Sequence, residues 1–313
     1  GSGSYIDGIL THIHNIDGLA YDADTFGETD ATTGIWKPKT APSVTYGTNG
    51  FFLKGENSGA LGTDSSGNAN NFTVNGTPTQ TIDTPSNVFA TLNPLTLHSN
   101  SITLSDGNTK ATTSASAWRT TNSTIGVSTG KWYFECKATE SSNSQYLVLG
   151  IQSDNLLSST ANGFGYSNNY SYGMKLYDGQ FVYNESDGGG SVSYGSAVTD
   201  GQIVGVALDL VNLKIYFSIN GTYQNSGDPT SASTGTGSPV TLQSGQTYFP
   251  ALGMGNNGAN PTAEINFGNG VFGTTAVASA GTSTSGDDSI WEYDCPTGYY
   301  GLNTKNINEQ EYS

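Results

Sequence analysis

The residues with the strongest claim to chemistry are a group of carboxylates, two histidines and two tyrosine-rich segments. Glu28-Thr-Asp30 opens the E-x-D-x-x-E spacing that would set a glycosidic nucleophile and its acid on one strand face, but the third position is Thr33. Asp22, Asp24, Gly27, Glu28 and Asp30 also fall where the early ligands and the glycine of a calcium loop would fall. Position twelve is again Thr33, which cannot supply the bidentate carboxylate, so a solvated acidic loop is the expected state of Asp22 to Asp30. His12 and His14 share one side of a strand-like stretch and could grip a metal, yet no third ligand is in view. Glu135 and Glu264 stand singly, and there is no G-x-S-x-G elbow, H-E-x-x-H pair or phosphate-cradling loop. No catalytic constellation, metal or cofactor is expected.

Binding leaves a better trace. Ala161 to Gly173 (ANGFGYSNNYSYG) and Tyr183 to Gly195 (YNESDGGGSVSYG) concentrate Tyr, Asn, Ser and Gly. A tyrosine ring is a flat apolar surface with a polar tip, and Asn, Ser and Asp bridge adjacent hydroxyls, which together suit a sugar ring or a polar epitope. The candidate ligand-binding residues are Phe164, Tyr166, Asn168, Asn169, Tyr170, Tyr172, Tyr183, Asn184, Asp187 and Tyr194. A structural reading competes: Phe164, Tyr166 and Tyr172 would cap a core and the Asn and Gly residues would only make turns. Gly188-Gly189-Gly190 reads as a flexible loop tip.

The elements that must position these residues are strands. The chain has 313 residues, and its 42 Gly, 18 Tyr and short apolar runs broken by turn residues argue for an all-β sandwich or barrel. No window keeps a helical apolar period for three turns. A formal charge of -16 repels phosphates and anionic headgroups, which excludes nucleic acid as the expected partner, and no apolar run is long enough to span a bilayer. Acidity at low total charge also keeps an extended β protein soluble. Of the two cysteines, Cys136 shares strand parity with Trp132 and Phe134 and is expected inside, and no disulfide framework is indicated. The triplets at Asn71, Asn75, Asn122 and Asn220 arise readily in a chain this rich in Asn, Ser and Thr.

The register is set by QIVGVALDLVNLKIYFSING, Gln202 to Gly221. A turn at Val211-Asn212 brings Val204 opposite Ile219, Val206 opposite Phe217, Leu208 opposite Ile215 and Leu210 opposite Leu213, all on one face. The other face pairs Asp209 with Lys214 as a cross-strand ion pair, and Ala207 with Tyr216. A slip of one residue would turn the apolar set into water.

Several segments carry family resemblances. GKWYFECKA (130–138), LVLGIQS (147–153), YGMKLYDGQFVYN, the hairpin above, and YFPALGMG with AEINFG resemble, in order, the strands of a SPRY domain. That resemblance implies a two-sheet antiparallel concanavalin-like sandwich, with 130–138 alternating core and surface residues and partners bound by loops at one end. SYIDGILTHIHNIDGLAYDADTF resembles the closing strand of a laminin-G or concanavalin-like lectin domain, here orphaned and obliged to pair elsewhere. FFLKGENSGALGTDSSGNANNFTVNG, with FFLK and NFTV as very short strands, and DTPSNVFATLNP resemble the linker before a SPRY domain in phage and marine virus structural proteins. GYYGLNTKN resembles a segment that joins the next module in such proteins, so both ends read as cut from a longer chain. The expected organisation is a lectin-like remnant strand at 1–25, an irregular linker at 26–90, the SPRY-like sandwich at 91–270, and a linker and C-terminal tail at 271–313, whose Trp291, Tyr293, Pro296 and Tyr299 can pack on the sandwich.

These resemblances imply a non-enzymatic adhesion module of a virion tail fibre or extracellular appendage that binds a host surface glycan or protein. Such appendages are symmetric homo-oligomers, often trimers. The alternatives are a structural spacer of a viral or cell-surface filament and, more remotely, a carbohydrate-active enzyme.

Overall fold

The computed structural model describes residues 10–29, 31, 36–76, 78, 80, 82–84, 87–97, 102–114, 118–139, 146–153, 170–185, 188–255, 260–279, 281 and 289–311. The chain divides into two compact units, 8–88 and 89–313. No helix is long and apolar enough to cross a membrane.

In the first unit β1 (Ile13–Asn15) pairs antiparallel with β4 (Phe51–Leu53), so the strand expected to be orphaned finds its partner within its own unit. His14 lies opposite Phe52 in that ladder, stacks on its ring at 3.9 Å, and shares a 2.9 Å hydrogen bond between Nδ1 and the Tyr46 hydroxyl. Asp22 precedes one helical turn, α1 (Ala23–Phe26), which runs directly into β2 (Gly27–Thr29), paired with β3 (Trp36–Pro38). The acidic stretch is therefore part turn of helix and part strand. NFTV forms no ladder; the Phe72 amide bonds the Gly62 carbonyl instead. The unit is organised around Asp64, whose carboxylate accepts from the amides of Phe52 (2.9 Å), Ser66 (2.8 Å) and Asn70 (2.8 Å) and from the Ser66 hydroxyl (2.8 Å). Burial alone would raise its pKa, but these donors outweigh that and hold it below the ordinary aspartate value. The side-chain amides of Asn68 and Asn70 then tie this loop to the carbonyls of residues 47, 48 and 50.

The second unit is the sandwich. Its strands are β5 (Ile102–Ser105), β6 (Lys110–Thr113), β7 (Arg119–Asn122), β8 (Lys131–Thr139), β9 (Leu147–Ser153), β10 (Ser171–Lys175), β11 (Gln180–Glu185), β12 (Gly188–Ser193), β13 (Ile203–Asp209), β14 (Lys214–Ile219), β15 (Thr222–Tyr223), β16 (Tyr248–Met254), β17 (Thr262–Asn266), β18 (Val271–Phe272), β19 (Thr275–Ala276) and β20 (Tyr300–Gly301). One sheet has six strands in the order β12-β11-β10-β9-β16-β7. The other has eight, ordered β15-β14-β13-β8-β17-β6-β5, with β20 joining β8. The facing sides bury Trp132, Phe134, Cys136, Val204, Val206, Leu208, Ile215 and Phe217 of the larger sheet against Leu149, Ile151, Tyr172, Met174, Phe181 and Leu252 of the smaller. Period-two alternation makes that core, and the β13–β14 register is the one the sequence dictates, from Val204 opposite Ile219 to Asp209 opposite Lys214.

The other side of the larger sheet is where sequence reading fails. Tyr133, Glu135, Ala207, Asp209 and Tyr216 alternate with the core set and were expected at the surface, yet all are at most 1 % exposed. The C-terminal segment covers them: Trp291, Cys295 and Tyr299 pack on Tyr133, Ala207 and Tyr216, with Trp291 edge-on to Tyr133 at 4.9 Å. The segment ends by adding β20 parallel to β8, and Asn303 then caps α2 (Thr304–Glu311) by accepting from the Asn306 amide at 2.8 Å. Residues 291–299 therefore form a third layer on this face of the sheet, while Leu302 and Ile307 further on join the core between the sheets.

The expected Asp209–Lys214 ion pair does not form. Asp209 lies opposite Lys131 on its other neighbour, β8, and bonds its ammonium at 3.0 Å, with the Tyr299 ring 5.5 Å from that nitrogen. Lys214 turns to the Thr241 hydroxyl at 2.7 Å. Under the C-terminal layer a buried carboxylate needs a cation that reaches it, and Lys131 is the one held there.

Candidate functional site

The described end of the first tyrosine-rich segment and the start of the second meet at one end of the six-stranded sheet, because they lie on neighbouring strands, and the second then runs back through β12 to the other end. β10 starts where β11 ends, with Ser171 opposite Asn184 and Tyr172 opposite Tyr183. Phe164, Tyr166, Asn168, Asn169 and Asp187 lie outside the described residues. Tyr170 and Tyr183 are half-buried at this rim, packed against the edge of the core. Asn184 sits on the outer face of the sheet and is 6 % exposed.

Two candidates point inward. Tyr172 is fully buried, 5.9 Å from Tyr248, and its hydroxyl accepts from the Gln243 amide at 3.1 Å. Tyr194 is buried as well; its hydroxyl accepts from the Phe217 amide at 3.0 Å, and burial raises its pKa. Both rings lie in the core and do not face solvent, and Tyr194, just past β12, stands at the other end of the sheet from Tyr170 and Tyr183. Residues 188–190, expected as a loop tip, instead lie in β12, paired with β11 from Glu185 opposite Gly188 to Tyr183 opposite Gly190. Backbone ladders need no side chain, and the missing side chain at Gly190 makes room for the Tyr183 ring. A Cβ there would sit 2.8 Å from the Tyr183 hydroxyl oxygen.

At the opposite end of the same sheet is an aromatic cluster that no sequence spacing announced. Trp118 leads into β7, Tyr146 leads into β9 and Tyr177 follows β10 by two residues, with Tyr146 stacked at 4.9 Å on both Trp118 and Tyr177. Gly255, at the end of β16, lets the rings of neighbouring strands approach: a Cβ there would lie 3.1 Å from Tyr146 and 3.3 Å from Trp118. The three aromatics belong to segments about thirty residues apart, so only the sheet order brings them together.

The most perturbed carboxylate is Glu135, on the outer side of β8. Oε1 accepts from the Tyr293 amide (2.9 Å) and the Tyr133 hydroxyl (3.2 Å), and Oε2 from the Glu292 amide (2.9 Å) and the Asn266 side chain (3.3 Å). Burial pushes its pKa up from 4.5 to about 7, against the pull of those donors. Its partners are main-chain amides of the C-terminal layer, an arrangement that clamps chain and leaves no room for a substrate. Glu264 pairs with Lys110 at 3.4 Å. Among the described residues no three His, Cys, Asp or Glu side chains converge as metal ligands.

The second unit is thus an antiparallel two-sheet sandwich with aromatic and amide side chains at its ends and with Glu135 bonded to the chain that covers it. The SPRY domain family matches residues 131–270. A SPRY match implies a protein-interaction or binding module over these residues. Among solved structures the SPRY domain of human HERC1 is similar, at 15% sequence identity over 56% of this chain and 96% of that one, with a TM-score of 0.41. No curated protein matches the chain.

Proposed function

We propose that this chain is a non-enzymatic adhesion module of a virion fibre or comparable extracellular appendage, binding a host surface glycan or protein. The contact surface is the rim of the six-stranded sheet that carries Tyr170 and Tyr183. What supports this reading is the Ser171–Asn184 register, which sets Tyr170 and Tyr183 at one end of one sheet. Amphipathic rings beside amides and hydroxyls suit polar epitopes. Homo-oligomers, trimers foremost, would multiply weak single contacts into avidity. A glycan and host-cell binding array, repeated with Tyr183→Ala and Tyr170→Ala, tests it: binding that these changes abolish supports adhesion, and hydrolysis of any polysaccharide would end the non-enzymatic reading.

A spacer that binds only copies of itself is the second reading. It draws on the first unit, which buries Tyr46 and Phe52 but exposes Leu10, Leu19, Trp36 and Phe72. Tight self-association without binding to any host component would favour it.

A further inference from the structure

In the first unit β1 turns the opposite way from an ordinary amphipathic strand. Ile13, 38 % exposed, and Asn15 face solvent, and of its three residues only His14 turns inward. The His14 ring meets aromatic rings from three places, Phe52 of β4 at 3.9 Å, Phe26 of α1 at 4.9 Å and Tyr46 at 6.0 Å. Phe52 and Tyr46 are themselves buried. An apolar side chain would fill the position at any pH, whereas an imidazole packs well there only while it is uncharged. The two ring nitrogens are unequal. Nδ1 is 2.9 Å from the Tyr46 hydroxyl, while Nε2 is buried without a hydrogen-bond partner. The tautomer this pattern selects donates the Nδ1 proton to Tyr46 and leaves a lone pair at Nε2. A second proton must go on Nε2, where no acceptor faces it.

Among the described residues the titratable neighbours give an imidazolium little relief. His12, two residues back, has its own Nε2 buried without a partner and its Nδ1 2.7 Å from the Thr11 hydroxyl. Lys54, just past β4, holds its ammonium 5.3 Å from the centroid of Phe52, so a charged His14 would join a cation already at that ring. Glu56 is engaged by Lys54 at 3.5 Å. The Asp64 carboxylate is taken up by the amides of Phe52, Ser66 and Asn70. Asp22 and Asp24, at the turn that carries Phe26, are exposed. Burial first, and then His12, lower the His14 pKa from 6.5.

We propose that His14 is an acid-responsive latch: a proton taken up at Nε2 drives the ring away from Phe52 and Tyr46 and frees β1 from β4. The unfolded chain takes up that proton near pH 6.5 and the folded unit only at lower pH. The contribution of His14 is therefore complete above 6.5 and declines as pH falls below it. Asp64 is still ionised when this begins, because its own pKa lies below the ordinary aspartate value. The test is amide hydrogen exchange by NMR on the full chain at about pH 7.5 and about pH 5, corrected for intrinsic rates, with a titration of the His14 ring in the same samples. Protection of residues 13–15 and 51–53 is lost at the lower pH in step with the His14 titration, while that of residues 147–153 holds. His14→Phe keeps an aromatic ring that cannot take a proton and retains protection at both pH values; His12→Asn leaves the acid response in place. A His14 that titrates at or above 6.5, a ladder equally protected at both pH values, or a His14→Phe chain as acid-sensitive as the parent overturns the proposal. Should His14→Phe lose the ladder already at neutral pH, the parent decides: coincident midpoints for ring titration and loss of protection uphold the latch, and separate midpoints end it.

Discussion

The backbone amide of Tyr293 donates to Oε1 of Glu135 at 2.9 Å, joining a central strand of the sandwich to chain 158 residues further on. The adjoining amide of Glu292 takes the other carboxylate oxygen, so one side chain holds two consecutive residues of the C-terminal layer.

Glu135→Gln therefore turns an amide NH2 toward at least one of the donors that faced the carboxylate. The expected loss is about 1–3 kcal/mol, the usual effect of an unsatisfied buried donor, read from urea unfolding midpoints. The pH response distinguishes this role from simple packing. The folded state holds the Glu135 proton up to about pH 7 while the unfolded chain releases it near 4.5, so this group's contribution falls as pH rises through that window. Glu135→Gln should flatten the decline; an unchanged pH profile would show that the carboxylate does not titrate there.

Lys131 and Lys214 offer a paired comparison. Lys131→Met strands the buried Asp209 carboxylate with the Asn212 amide and side chain, at a cost of about 2 kcal/mol. Lys214→Met gives up a hydrogen bond from an exposed ammonium to Thr241 and should shift thermal unfolding little. Equal effects would mean that the hairpin's own cross-strand pair operates in solution after all.

Gly150→Ala should destabilise the six-stranded sheet. Gly150 lies opposite Gly173, and an added Cβ would sit 2.0 Å from the Tyr172 carbonyl oxygen and 2.5 Å from the Gly173 Cα. Backbone cannot swing aside as a long side chain can, so the strands must separate, at about 1–3 kcal/mol or more. A variant as stable as the parent would refute that close approach.

Asp64 makes the first unit acid-sensitive. Its pKa is depressed in the folded state, so its contribution is complete above the ordinary aspartate range and is lost as pH falls through the lower folded value. Hydrogen exchange on the full chain should show the Phe52 and Asn70 amides losing protection on acidification and, at neutral pH, in Asp64→Ala. Protection in residues 147–153 should be unaffected by Asp64→Ala.

Much of the sandwich was legible because its signals are local. Val204 to Ile219 fix their register by alternation alone, and LVLGIQS and YFPALGM read as strands for the same reason. Tyr172 and Tyr194 were harder: tyrosine tolerates both rim and core, and only their position on the inward side of paired strands decides between them. Trp118, Tyr146 and Tyr177 left no trace in spacing, because nothing in one segment reveals the strand order that makes the three neighbours.

By itself the sequence determined the antiparallel strands, the facing apolar core and the register of the central hairpin. Each follows from side chains pointing alternately to two faces, a constraint satisfied within a few residues. Which face met water was decided only by the tertiary structure. Tyr133, Glu135, Ala207 and Asp209 read as an outer row, and they became an interior when Trp291, Cys295 and Tyr299 were laid over them. That covering layer lies so far along the chain that only folding could join its amides to the carboxylate of Glu135.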